Sequence, residues 1–284
     1  MPRDLPPGSD TGRAGGRPVN EPAERIPRFN VLGVGLCALT LEQATQRIIE
    51  RSRQRPAGYV CVTGVHGVVE SLADSELRQI HNRAYLVTPD GMPMVWLGRW
   101  HGWRQITRVY GPDLMLQVCD RGRSRGLRHF FYGGAEGVAA DLRHALQARF
   151  PDLQISGTFT PPFRPLDDAE SAALRTQVEE SRTDIIWVGL STPKQERFMA
   201  GYAAQLSVGL LIGVGAAFDI HSGRKRQAPR WVQCCALEWL FRLAQEPRRL
   251  WRRYFVNNAV FLWCISMQLM GLRKYPLVVP SDNG

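Results

Sequence analysis

Long apolar runs are scarce in this chain. In its C-terminal part the stretch from Ala259 to Leu272 comes nearest, but its fourteen residues include Ser266 and Gln268 and fall short of the ~20 that a bilayer-crossing helix needs. Cysteine is sparse too. Six residues, at 37, 61, 119, 234, 235 and 264, form no C-x-x-C pair and mostly lie inside apolar stretches, the pattern of reduced core thiols in a cytosolic protein. Residues 1–28 are rich in Pro, Gly and Arg without an apolar core, so a disordered tail is expected there and a secretory signal is not. No Asp-x-Asp pair is available for a hydrated magnesium diphosphate; Asp167 and Asp168 read as a helix N-terminus, and Asp219 with His221 offers only two ligands. No metal site is expected. No Ser or Cys stands in a G-x-S-x-G elbow.

Acidic residues nearly vanish between 224 and 274. Eleven Lys and Arg stand there against Glu238 and Glu246, so this segment carries nine of the ten net positive charges. A basic surface this localised suits a partner with phosphates, either nucleic acid or anionic lipid and lipid-linked diphosphate. Arg248, Arg249, Arg252 and Arg253 precede the apolar run, Trp251, Tyr254 and Phe255 are interleaved, and Arg273 and Lys274 close it. Such a helix is expected to lie in a membrane interface. The competing arrangement is a helix docked on the protein's own core.

The remainder alternates short apolar runs with amphipathic segments. Strand-like stretches at Asn30–Leu36, Tyr59–Val62, Tyr85–Val87, His129–Tyr132, Leu153–Gly157, Asp184–Val188 and Leu206–Val214 are separated by helical periodicity. Thr40 is placed to cap the first helix, and Ser191-Thr192-Pro193 to cap the one after Val188. The expected fold is therefore α/β, a Rossmann-like, mostly parallel sheet flanked by helices over 29–222, followed by a basic helical membrane-associating appendage over 223–284. No internal repeat is visible.

Polar residues recur directly after strands. Thr88-Pro89-Asp90-Gly91 must turn the chain before Pro93 opens a helix, which puts Asp90 at the sheet edge where open α/β folds bind ligands. An Asp-Gly turn with no further role is the plain alternative. Tyr132-Gly133-Gly134 aims backbone amides and a helix start at an anion. Lys194 and Gln195 follow another strand and could meet a nucleotide or sugar, and Gly213-Val214-Gly215 leads to Asp219. Gly33-Val34-Gly35-Leu36-Cys37-Ala38 matches G-x-G-x-x-A, but its helix starts late and no acid follows the second strand, so it reads as an edge strand. A nicotinamide-dependent oxidoreductase is disfavoured on the same ground.

Taken together, Thr88 to Pro93, Val109 to Leu114, Tyr132-Gly133-Gly134, Val188-Gly189-Leu190 with Pro193 to Glu196, Gly213 to Gly215 with Phe218-Asp219, and Ala228-Pro229 with Glu238-Trp239 and Pro247-Arg248 resemble the WecG/TagA/CpsF family of bacterial glycosyltransferases. The resemblance spans roughly Phe29 to Asn258. It implies metal-independent, inverting transfer from a UDP-sugar to a polyprenyl-diphosphate-linked sugar, peripherally at the cytoplasmic face of the inner membrane, in exopolysaccharide, capsule or cell-envelope synthesis. No cofactor is implied, and the assembly, homo-oligomeric or not, is left open. Asp90 is implied as general base, with Arg108, Gln195 and Asp219 at substrate-contacting positions and Arg242, Arg249 and Arg252 toward the diphosphates. One departure stands out: Thr63-Gly64-Val65-His66 occupies the place of the family's asparagine, leaving Thr63 or His66 to contact the sugar. The rival reading is a nucleic-acid-binding module built on the basic segment. The resemblance implies no nucleic-acid partner.

Overall fold

The computed structural model describes residues 26–277. The expected N-terminal tail falls, up to residue 25, outside the described residues, as does the appendage from 278 onward. The first described element corrects the sequence reading. Instead of one strand over Asn30–Leu36, the chain forms an antiparallel hairpin of β1 (Arg28–Val31) and β2 (Val34–Cys37), a separate two-stranded sheet. Its two-residue turn needs positive φ at both positions, 52° at Leu32 and 87° at Gly33, the twist that joins hairpin strands. A leucine there gives no turn signal in sequence, and the Asn30 side chain helps to hold it by accepting from the Gly33 amide at 2.8 Å.

The main sheet is parallel throughout. Its strands are β3 (Gly58–Thr63), β4 (Leu86–Pro89), β5 (Arg128–Gly133), β6 (Gln154–Phe159), β7 (Ile185–Gly189) and β8 (Leu210–Gly213), in the spatial order β4-β3-β8-β7-β5-β6. Strand residues alternate between two cores. Ile186 and Val188 face one, Ile185 and Trp187 the other, as the period of two demands. On the second face lie α1 (Leu41–Arg51), α5 (Gly111–Gly122), α6 (Val138–Arg149) and the short α9 (Ala217–His221). The first face is covered by α2 (Val65–Ala73), α4 (Met92–Trp100), α7 (Asp168–Glu180), α8 (Lys194–Tyr202) and the C-terminal helix α12 (Pro247–Leu269). The links are α3 (Ser75–Arg83), packed on α2 and α8, and two short helices before α12, α10 (Arg230–Cys234) and α11 (Glu238–Gln245).

Cys37, Cys61, Cys119 and Cys264 are buried free thiols, whereas Cys234 and Cys235 are exposed. The C-terminal apolar run does not lie apart from the body. Phe261, Cys264 and Ile265 of α12 join the core beside Val68 and Val69 of α2, and burying Phe261 and Ile265 contributes about 1.5–3 kcal/mol each. Gln268 then pins the helix to the hairpin, accepting from the Leu32 amide at 2.8 Å and donating to the Asn30 carbonyl at 3.0 Å. No helix among the described residues is long and apolar enough to cross a membrane.

One position tests this packing directly. Gly209 donates to the Asp184 carbonyl and accepts from Gly58, and a Cβ there would stand 1.6 Å from the Ser52 carbonyl oxygen. Gly209→Ala is expected to cost about 3 kcal/mol, the upper end for overpacking, read as a lower urea midpoint at unchanged slope. A loss below ~0.5 kcal/mol would contradict the close approach.

Candidate active site

The helices start in two ways. α1, α3 and α7 begin with side-chain caps from Thr40, Asp74 and Asp167. By contrast α2, α4, α6 and α8, which follow β3, β4, β5 and β7, begin at Gly64, Gly91, Gly137 and Pro193 without one. The Ser191-Thr192-Pro193 cap expected from sequence is not made; Thr192 Oγ1 donates instead to Glu196 Oε1 at 2.9 Å. The starts of α2, α4, α6 and α8 reach one crevice through Gly64, Gly91, Val138 and Lys194, where the positive ends of helix dipoles favour an anion.

The crevice is a cavity of about 1760 Å³ with Asp90 in its wall. Gly91 makes the turn possible with φ 97°. Gly64 lacks the Cβ that would press to 2.8 Å on the Asp90 carbonyl oxygen, and the Asp90 amide donates to the Thr63 carbonyl at 3.0 Å. Asp90 Oδ1 is sealed from solvent without a hydrogen-bond partner, while the side chain as a whole keeps 33% of its exposure. Burial pushes its pKa up, Arg108 and Arg242 pull it down, Glu238 and Asp113 push it up, and it settles near 6.

Arg108 is the neighbour that matters most. Its guanidinium donates to Glu238 and, at 3.1 Å, to Gln233 Oε1, stacks 3.9 Å over the Tyr110 ring, and stands 4.0 Å from Asp90 Oδ1. That last separation is too long for a hydrogen bond. Glu238 begins α11 and Gln233 belongs to α10, so the basic C-terminal segment completes the wall around Asp90. Arg242, Arg249 and Arg253 line the same cavity.

The other residues singled out from sequence divide into two groups. Thr63, His66, Gly134, Lys194, Gln195 and Asp219 line the cavity. Thr63 Oγ1 and Gln195 Oε1 are buried without partners, the Gln195 amide donating to Glu196 Oε1 at 3.0 Å. His66 accepts from Asn257 of α12 at 2.6 Å. Burial, with Arg253 and Arg242 nearby, lowers its pKa to about 3, so the imidazole is neutral and Glu70 at 3.6 Å is no ion partner. Asp219 pairs with Lys225 at 2.7 Å, and His221 donates to the Pro112 carbonyl at 2.9 Å. No group of three or more His, Cys, Asp or Glu is arranged to hold a metal among the described residues.

Two expected residues lie elsewhere. Gly133 is buried in β5 against Gly189, 2.8 Å from where its Cβ would be, and it is Gly134 that reaches the cavity. Arg252 is exposed on the outer side of α12; Arg253, four residues from Arg249, faces the cavity instead. Sequence reasoning missed Arg253, Asn257, Gln233 and the partnership of Glu238. The four-residue spacing of Arg249, Arg253 and Asn257 was a usable signal, whereas the Arg108–Glu238 pair spans 130 residues and left none.

A parallel α/β sheet whose carboxyl edge holds one carboxylate of raised pKa among guanidiniums and uncapped helix starts has the parts for proton abstraction beside an anionic group. Its family is defined by sequence. Residues 29–275 match the glycosyl transferase WecG/TagA/CpsF family, and the chain belongs to that family as a glycosyltransferase. It is similar to the N-acetylglucosaminyldiphosphoundecaprenol N-acetyl-β-D-mannosaminyltransferase of Bacillus spizizenii, with 29% identity over 184 residues, 65% of this chain and 69% of the relative. The protein so named from Bacillus subtilis is 25% identical over 183 residues, 64% and 69% of the two chains.

The raised pKa of Asp90 carries a stability consequence. The folded state holds the proton more tightly than an unfolded carboxyl of pKa 3.8, so stability falls as pH rises from about 4 through about 6. Asp90→Asn is expected to melt higher than the wild type at pH 8, with the gap closing below pH 4, measured by calorimetry across pH. Equal melting temperatures at pH 8 would remove the strained carboxylate.

Proposed function

We propose that this glycosyltransferase moves a sugar, with inversion and without a metal ion, from a UDP-sugar to a sugar carried on polyprenyl diphosphate in cell-envelope, capsule or exopolysaccharide synthesis. The observation that carries the reading is Asp90, in the cavity wall with Oδ1 free of any hydrogen bond, while Glu238 and Gln233 hold Arg108 at 4.0 Å from it. The names of the two Bacillus relatives, which specify an undecaprenyl-diphosphate-linked acceptor, support the acceptor class.

In this mechanism Asp90 takes the proton of the acceptor hydroxyl as the oxygen attacks the anomeric carbon, a contribution of typically ~10²–10⁴-fold. Direct displacement inverts that centre. Charge on the departing diphosphate is met by Arg108, Arg242, Arg249 and Arg253 and by the positive dipole ends at the starts of α2, α4, α6 and α8. Thr63, His66, Lys194, Gln195 and Asp219 are assigned to hold the two sugars and the nucleotide.

The unit over 29–222 is read as the catalytic core, with 223–284 as an appendage that both closes the cavity and meets the cytoplasmic face of the membrane peripherally. Two faces of α12 support this division of labour. One carries Arg249, Arg253 and Asn257 toward the cavity; the other exposes Arg248, Arg252, Trp251 and Trp263, an aromatic and basic face suited to anionic lipid headgroups.

Asp90→Asn should keep donor binding while turnover drops at least ~10²-fold, and wild-type kcat/KM should rise as pH passes upward through about 6, because the base acts only when unprotonated. Assays with a panel of UDP-sugars and lipid-diphosphate acceptors, run with chelator, decide this; near-normal turnover of the variant would end the base assignment, and loss of activity with chelator the metal-free one. For the membrane face, Arg248→Ala with Arg252→Ala should weaken binding to anionic vesicles by about 2 kcal/mol, roughly thirtyfold, from about 1 kcal/mol per basic residue. Unchanged flotation would refute that face.

A further inference from the structure

The cavity is larger than its chemistry requires. At about 1760 Å³ it exceeds the ~300–1,000 Å³ of common small-ligand pockets, and beyond the arginines its lining turns apolar. Leu262, Ile265 and Leu269 of α12 continue the wall on one side, and Trp96, Leu97 and Trp100 of α4 do so on the other. Tryptophans and leucines left facing a cavity mark a binding surface. Trp100 is 76% and Leu262 63% exposed.

Along α12 the change from polar to apolar is ordered. Arg249, Arg253, Asn257, Phe261, Ile265 and Leu269 recur every four residues and all line the cavity, so they form one ridge that winds round the helix by about 40° per step. From Arg249 to Leu269 that ridge rises about 30 Å at 1.5 Å per residue. A single stripe thus offers cations at one end, an amide in the middle and hydrocarbon at the other. α4 supplies the opposite wall and starts one residue after Gly91, beside Asp90. The apolar end therefore opens from the same space as the carboxylate.

We infer that the groove between α4 and α12 seats the first isoprene units of the lipid-linked acceptor, with the diphosphate at Arg249 and Arg253 and the carried sugar at Asp90. This rests on the acceptor class proposed above and adds where its hydrocarbon goes. The occupant is the acceptor's own chain, because only a molecule joining hydrocarbon, an anionic group and a hydroxyl matches the apolar wall, the arginines and Asp90 that share this cavity. The outer face of α12, with Trp251 and Trp263, is left to the bilayer.

The test uses N-acetylglucosamine linked through diphosphate to chains of one, two, three and four isoprene units, in solution without vesicles or detergent. Wild-type kcat/KM is expected to climb with each added unit. In Trp100→Ser and in Leu269→Ser the ratio between the longest and shortest acceptors should fall at least tenfold, while the outer-face variant Trp263→Ser keeps the wild-type ratio. Farnesyl diphosphate binding, followed by intrinsic fluorescence, should weaken in Leu269→Ser in parallel. Wild-type rates indifferent to chain length, or the same climb in both groove variants, would overturn the proposal and return these residues to contact with bilayer lipid. If no chain length were turned over while farnesyl diphosphate still bound at Leu269, the acceptor assignment would fail and the groove would stand as a prenyl site.

Discussion

The site depends on where one guanidinium is held. Arg108 lies between two carboxylates and is bonded to Glu238, with Gln233 taking a second N–H, so that it stops 4.0 Å from Asp90. Were it to close to hydrogen-bond distance, this loose ion pair would tighten and the proton affinity of the carboxylate would drop further. Held where it is, Arg108 lends positive charge to the cavity without neutralising the neighbouring carboxylate. Both restraining residues come from the C-terminal segment, so the basicity of Asp90 and the docking of that segment are linked through a single side chain.

This linkage couples the C-terminal helices to the electrostatics of the cavity. α12 is fixed to the body by Phe261, Cys264 and Ile265 in the core and by Gln268 on the hairpin. Its basic residues consequently fall on two sides, Arg249 and Arg253 inward, Arg248 and Arg252 outward. One helix then presents cations both to the cavity and to solvent, and the hairpin turn at Leu32 and Gly33, far from the cavity in sequence, helps to set its register.

Much of this was legible from residue order. The alternation of apolar runs and amphipathic segments specified a parallel sheet with two covered faces, and the breaker cluster at Thr88 to Gly91 located Asp90 at a strand end, because periodicity and turn chemistry are local properties. The recurrence of polar residues after strands pointed to a cavity that holds Thr63, His66, Gly134, Lys194, Gln195 and Asp219 together. The hairpin was misread as one strand because Leu32 conceals a turn that glycine or asparagine would have announced. Arg253 and not Arg252 lines the cavity, a distinction hidden from sequence because adjacent arginines on a helix differ by about 100° in direction and only the packing of Phe261 and Ile265 decides which one turns inward.

Sequence alone determined the class of fold, the family, the carboxylate at the end of β4 and the concentration of positive charge near the C-terminus, since each is written in local pattern or composition. Tertiary structure decided the state of that carboxylate. Its burial, the withdrawal of Arg108 toward Glu238 130 residues away, and the inward face of α12 are products of long-range packing. Electrostatic energies depend on distance and solvent exposure, and neither exists until the chain has folded.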